Sequence, residues 1–121
     1  MNVIVADDSM LTRKIVMKYL EPLGFSPFPA ANGGEVIEML NTGKVMPGLI
    51  LMDWNMPVLD GYQVLQLLKK DDRYRGIPVI MLTSESDEAN RAKALAAGAR
   101  GYINKPFTAN DLTTAIQAYL K

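Results

Sequence analysis

The chain has 121 residues, 49% of them hydrophobic and 21% charged, with 13 basic against 13 acidic side chains and no net charge. That reads as one soluble globular domain burying roughly two-thirds of its unfolded surface, without the basic excess of a binder of nucleic acid or anionic membrane. It contains no Cys and no His, which excludes disulfides, thiolate chemistry, a Ser-His-Asp triad, a His-bound metal and a phosphohistidine of its own, and fits a reducing compartment.

The start, Met1-Asn2, meets acid at Asp7 and has neither the basic opening nor the long apolar region of a signal peptide. No apolar stretch approaches the roughly 20 residues that cross a bilayer. A cytoplasmic location without membrane contact is the expectation.

The first apolar run, Val3-Ile4-Val5-Ala6, ends on Asp7-Asp8. It is followed by a helical pattern over 9 to 23, with Leu11, Ile15, Leu20 and Leu23 near one face and a stop at Gly24. Phe25-Ser26-Pro27-Phe28-Pro29 alternates apolar with other residues and carries two prolines that donate nothing to a ladder, so it reads as an edge strand. A second helix over 33 to 43 follows the start signal Asn32-x-x-Glu35, carries Val36, Ile37, Met39 and Leu40, and stops at Gly43.

The run Leu49-Ile50-Leu51-Met52 ends on Asp53. A third helix over 61 to 71 follows Asp60-x-x-Gln63, with Val64, Leu65, Leu67 and Leu68 as its stripe, and Gly76 and Pro78 close the connection. Val79-Ile80-Met81-Leu82 ends on Thr83, and a fourth helix over 87 to 97 opens on Asp87 and Glu88, where the helix dipole favours anions. Its buried face reads as Ala92, Leu95, Ala96 and Ala99. Gly101-Tyr102-Ile103-Asn104 ends on Lys105, and the last helix starts at the capping pattern Thr108-x-x-Asp111 and carries Leu112, Ala115, Ile116 and Tyr119.

Apart from the edge segment the runs are continuous, not alternating, as in strands of a parallel sheet covered on both faces. The order of elements is (βα)5, and right-handed crossovers make it a doubly wound three-layer α/β sandwich. In such a sheet the carboxyl ends of the strands share one edge, and ligands bind in the crevice beyond it. Asp7, Asp8, Asp53, Thr83 and Lys105 all fall at that edge.

Asp7, Asp8 and Asp53 offer oxygen ligands to a hard cation, and magnesium takes one or two carboxylates while keeping other positions for water and phosphate oxygens. Crowded carboxylates raise one another's pKa, and a divalent cation or Lys105 offsets the repulsion. A phosphoryl group on one carboxylate calls for a cation, a metal and a hydroxyl donor around its oxygens, which Lys105, magnesium and Thr83 supply, with Asp53 as the central nucleophile. Each residue alone has a plainer explanation: Asp7-Asp8-Ser9 and Thr83-Ser84 as helix caps, Lys105 as a solvated lysine. Asp53 at the end of a buried strand is harder to explain that way, because a buried charge is costly unless paired or used. The methionine stripe reads as core filler.

These residues resemble the receiver domain of two-component response regulators, of the single-domain CheY-like type, across essentially the whole chain. The motifs that carry the resemblance are Val5-Ala6-Asp7-Asp8-Ser9, Met52-Asp53-Trp54-Asn55-Met56-Pro57 with Asp60-Gly61, Leu82-Thr83-Ser84, Gly98-Ala99 and Lys105-Pro106-Phe107. The resemblance implies a parallel five-stranded sheet of order 2-1-3-4-5, for which CheY is a standing example, and one receiver domain over residues 1–121. It further implies that Asp53 accepts a phosphoryl group from a histidine kinase or phosphotransfer protein, with Mg2+ on Asp8, Asp53 and the Asn55 backbone carbonyl and Asp7 acting through water. Lys105 and Thr83 would bind the phosphoryl oxygens, the Lys105-Pro106 peptide would be cis, and Thr83 and Tyr102 would form the switch pair.

The resemblance also implies that Asn55 and Glu85 occupy the two positions that tune hydrolysis of the aspartyl phosphate. The same resemblance implies a phospho-acceptor that catalyses only its own phosphotransfer and dephosphorylation. It would act as a monomer on a protein target through the fourth helix, fifth strand and fifth helix, without direct nucleic-acid contact, with chemotaxis as the leading context. Met10, in place of a Phe, and Pro27 and Pro29 depart from the family pattern.

The alternatives are a receiver cut from a larger regulator with a DNA-binding or enzymatic output, a degenerate receiver acting as a binding module, an FMN binder and an aspartyl-phosphate phosphatase. The FMN reading conflicts with Asp7-Asp8, which would repel the cofactor's phosphate. The phosphatase reading conflicts with Asn55, which stands where a second Asp is needed.

Overall fold

The structure is a computed structural model, and it describes residues 1–83 and 88–120. Its elements are β1 (Asn2–Ala6), α1 (Met10–Leu20), a 3-10 turn (Glu21–Leu23), β2 (Ser26–Ala30), α2 (Gly33–Asn41), β3 (Leu49–Asp53), α3 (Gly61–Lys70), β4 (Val79–Thr83), α4 (Glu88–Ala96), β5 (Gly101–Asn104) and α5 (Ala109–Tyr119). The five strands pair in parallel in the order β2-β1-β3-β4-β5. The sequence places β2 at an edge, and it lies there.

β1, β3, β4 and β5 are apolar over most of their length because both faces are covered. Ile4, Ala6, Ile50, Met52, Val79 and Met81 pack under α2, α3 and α4 with Val36, Leu40, Val64, Leu65, Leu68 and Ala94. Val3, Val5, Leu49, Leu51, Ile80, Leu82 and Ile103 pack on the opposite face with Val16 and Leu20 of α1 and Leu112 and Ile116 of α5. Along β2, the Ser26 N–H donates to Met1 and the Ala30 carbonyl accepts from Asp7. In a parallel ladder the alternate residues Pro27 and Pro29 therefore face the free edge, where a missing donor costs nothing.

Side-chain caps start four helices: Ser9 accepts from Thr12 N–H, Asn32 from Glu35 N–H, and Asp60 with Gln63 and Thr108 with Asp111 form reciprocal capping boxes. The first helix is shorter than the periodicity predicts. Pro22 has no N–H for an α-helical bond, so the chain tightens into a 3-10 turn and leaves it through Gly24 at φ 86°.

Two apolar faces also differ from the sequence reading. On α1 the buried residues are Val16 and Leu20, while Leu11 and Ile15 are exposed at 68% and 38%. On α4 only Ala94 is buried, with Ala99 just beyond the helix, and Ala92, Leu95 and Ala96 face outward. On α3 Leu67 is likewise exposed. Among the methionines, Met39, Met52, Met56 and Met81 fill the core, but Met1, Met10 and Met46 are on the surface. Asp87, the expected start of the fourth helix, and Ser84 lie outside the described residues.

The face of α1 is open to direct test by urea unfolding. Val16→Ala should cost about 2 kcal/mol, the scale of a buried large-to-small change, whereas Leu11→Ala should stay within about 0.5 kcal/mol of the parent.

Candidate functional site

Strand register brings the chemistry together. Ala6 pairs with Met52, Asp53 with Leu82 and Thr83 with Asn104, so Asp7, Asp53, Thr83 and Lys105 emerge side by side where β1, β3, β4 and β5 end. Asp7, Asp53 and Thr83 are buried, at 1%, 6% and 0% exposure. Asp8 is exposed beside them. One carboxylate oxygen from each of Asp7, Asp8 and Asp53 lies within 4.8 Å of the others.

The Lys105 ammonium sits between two of these acids, 2.5 Å from Asp7 Oδ2 and 3.4 Å from Asp53 Oδ2. Its backbone N–H donates to the Thr83 carbonyl at 2.7 Å, which ties the β5 end to β4, and the Lys105-Pro106 peptide is cis. Asp7 is held from two further directions. Its Oδ1 accepts the Ser9 N–H at 2.8 Å, and its backbone carbonyl accepts from the Arg13 guanidinium of α1. Asp53 accepts the backbone N–H of Asn55.

The electrostatics leave Asp53 under-compensated. Burial pushes its carboxyl above the usual value of 3.8 and the Asp7 carboxylate adds to the rise, against which Lys105 and the Asn55 N–H pull it down without cancelling the effect. The donor set suits a hard dication: oxygen atoms only, with Asp8 on the solvent side, and one oxygen of Asp7 already bonded to Lys105 and the other to Ser9. Such an ion would lie against Asp8 and Asp53, leaving positions for water and phosphate oxygens.

The loop from β3 to α3 shapes the floor of the crevice. The Leu59 N–H donates to the Pro57 carbonyl at 2.8 Å across Val58, whose φ is 70°. This is a γ-turn with positive φ, a strained conformation for a β-branched residue. At the far end of the loop, the Gly61 N–H donates to the Trp54 carbonyl at 2.8 Å. A Cβ at residue 61 would strike the Asp53 carbonyl oxygen and come within 2.8 Å of the Met81 methyl, so only glycine lets α3 begin this close to the acid.

Asp7, Asp8, Asp53, Thr83 and Lys105 are thus brought together as the sequence predicts. Asn55 is exposed on the adjoining loop. Tyr102 is one strand away, 8% exposed, with the Arg91 guanidinium 6.0 Å over its ring. Glu85 lies outside the described residues. The sequence reading missed Arg13, six residues beyond the aspartate whose carbonyl it grips. It also missed the stacking of Trp54 on Tyr62, with ring centroids 5.3 Å apart. Neither contact follows from spacing or residue type alone.

A family model described as response regulator receiver domain matches residues 3–117. The chain belongs to that family. It is 36% identical over 119 residues to the sensor histidine kinase CheAY of Helicobacter pylori, and 37% identical over 120 residues to the phosphate regulon transcriptional regulatory protein PhoB of Klebsiella pneumoniae. Those alignments cover 98% and 99% of this chain but only 15% and 52% of the relatives, so the chain spans a fraction of one and about half of the other. Among solved structures it resembles the chemotaxis response regulator CheY4 of Vibrio cholerae, with a TM-score of 0.88 at 30% identity over 98% of this chain and 97% of that one. It also resembles the receiver domain of the sensor histidine kinase PA1611 of Pseudomonas aeruginosa PAO1, which has a magnesium ion coordinated in its active-site cleft. There the TM-score is 0.83 at 27% identity, over 98% and 96% of the two chains. Among the described residues no helix is long and apolar enough to cross a membrane.

Two outcomes test this geometry in metal-free buffer. The folded chain holds the Asp53 proton more tightly than the unfolded chain does, so ionised Asp53 lowers stability at neutral pH and ceases to do so as pH falls toward 3.8. Asp53→Asn should therefore unfold at higher urea than the parent at pH 7, with the gap closing on acidification. Val58→Gly should raise stability by about 1 kcal/mol, because relief of the positive-φ strain exceeds the entropy added to the unfolded chain.

Proposed function

We propose that this receiver domain is a phosphorylation-activated signalling switch in which Asp53 takes a phosphoryl group from a histidine kinase or phosphotransfer protein. The observation that carries the reading is the Lys105 ammonium bridging Asp7 and Asp53 at the carboxyl edge of the sheet, beside buried Thr83. A lone structural acid in that position would be matched by its counter-charge. Asp53 instead shares one lysine with a second buried carboxylate, and its pKa stays raised.

In the transfer, an Asp53 carboxylate oxygen forms the new O–P bond as the P–N bond of the donor phosphohistidine breaks, and the departing imidazole keeps the electron pair and takes up a proton. Charge spreads over the three equatorial phosphoryl oxygens in a loose transition state, so positioning and electrostatics supply the catalysis. Lys105 turns from Asp7 toward one oxygen, and the Thr83 hydroxyl donates to a second. Asp8, Asp53 and the Asn55 carbonyl, with Asp7 through water, would hold Mg2+, which when bound would neutralise charge gathered on acceptor and phosphoryl group. In dephosphorylation water attacks the same phosphorus, the P–O bond to Asp53 breaks, and inorganic phosphate leaves as the carboxylate is restored; Asn55 and Glu85 occupy the two sequence positions that the family resemblance assigns to tuning this step.

The signal leaves through Thr83 and Tyr102. Movement of the hydroxyl toward the phosphoryl group opens room for the Tyr102 ring and favours one arrangement of the α4-β5-α5 surface, a population shift that a protein target reads. Similarity to CheY4, a chemotaxis response regulator, supports chemotaxis as the context, and the domain is proposed to act there as a cytoplasmic monomer. A second reading, a receiver joined to an output domain, is favoured by the PhoB relative, of which this chain spans 52%.

Incubation with acetyl phosphate and Mg2+, followed by phosphate-affinity electrophoresis, tests the assignment. Labelling should be saturable in the parent, absent in Asp53→Asn, and slowed about a hundredfold or more in Lys105→Met, the scale of one lost charge-stabilising donor. Equal labelling of Asp53→Asn overturns the acceptor. A folded parent that takes neither Mg2+ nor phosphate is a binding module instead.

A further inference from the structure

α4 is the least anchored α-helix of the fold. Among its described residues it buries only the methyl of Ala94, whereas every other α-helix buries at least two larger apolar side chains. Two of its charged side chains rest instead on tyrosine rings, one on either side. Arg91 lies over Tyr102, the ring already assigned to the switch. Lys93 places its ammonium 4.4 Å over Tyr62 of α3, a closer contact to a ring that the phosphotransfer reading does not use.

Tyr62 is also half of a second contact. It stacks on Trp54 with an interplanar angle of 12°, and Trp54 directly follows Asp53. The Trp54 backbone is tied on both sides, its N–H donating to Leu82 of β4 at 3.2 Å and its carbonyl accepting from Gly61 at the start of α3. The backbone that carries the indole is therefore fixed to the end of β3, so a shift there carries the indole with it, and Tyr62 and Lys93 connect that shift to α4. Packed side chains of this kind have few discrete arrangements, which suits them to pass on a small displacement.

We propose that Trp54, Tyr62 and Lys93 form a second arm that ties the position of α4 to the state of the Asp53 site, on the α3 side of the helix and independent of Tyr102. The inference rests on the phospho-acceptor reading of Asp53. Coupling of this kind is reciprocal: if the occupied site repositions α4 through the arm, then cutting the arm changes how tightly the site is occupied. A single exposed cation–aromatic contact sets the scale at about two- to fivefold.

The test uses beryllofluoride with Mg2+ as a phosphoryl mimic on the parent, Lys93→Gln, Tyr62→Leu and the double variant. Calorimetry gives affinity, and amide NMR shifts of residues 88–96 report α4. Lys93 is exposed, so its replacement does not endanger the core. In the parent the mimic should shift the α4 amides. Each single variant should change affinity about two- to fivefold and diminish the α4 response, and the double variant should do no more than either one alone. Additive effects, or affinities and α4 shifts equal to the parent's, overturn the arm and leave the acceptor reading standing. Failure of the mimic to bind the parent overturns both.

Discussion

Two buried carboxylates share one ammonium at the edge of this sheet, and much of the surrounding structure is arranged to tolerate that. Asp7 and Asp53 end neighbouring strands, and their mutual repulsion is offset by a lysine that arrives from a third strand about a hundred residues along the chain. Asp7 receives extra bonds from the Ser9 amide and Lys105, so its charge is well spoken for. Asp53 gets the weaker share of the lysine and one amide, and its proton affinity rises. The asymmetry separates an acid whose charge is matched from one whose charge is not.

Holding Asp53 in that state constrains its neighbours. The loop after β3 turns sharply, through a γ-turn at Val58, and α3 starts close enough to Asp53 that only Gly61 fits there. The same closeness puts Trp54 and Tyr62 face to face. Strain in the loop, a glycine at the helix start and an aromatic stack thus all lie in the short segment that follows this one carboxylate.

The sheet and its crevice were legible because buried parallel strands are written as unbroken apolar runs, and each run here stops on a functional group. Val79 to Leu82 could be read as a strand, and Thr83 placed at its carboxyl end, with no knowledge of what covers it. Helix faces were less legible. On α1, Leu11 and Ile15 fit a helical stripe as well as Val16 and Leu20 do, and only the docking angle against β1 and β3 decides which pair is buried. On α4 the alanines are too alike for a hydrophobic phase to show. Contacts such as Lys93 with Tyr62 join elements about thirty residues apart and depend on the helix crossing, about which local sequence carries no signal.

Pro27 and Pro29 protect one edge of the sheet in a way that its topology alone does not. In an open five-stranded sheet each edge strand offers a row of backbone groups able to recruit another chain unless something blocks it. On the β2 side the outward positions are imides without hydrogen, so an incoming strand finds carbonyls but no amide to accept from at those two sites. The β5 side has no proline. It is shielded by cover instead, with Gly101, Tyr102 and Ile103 buried and the Tyr119 ring lying against Gly101, so the two edges resist strand addition by different means, one by composition and the other by burial.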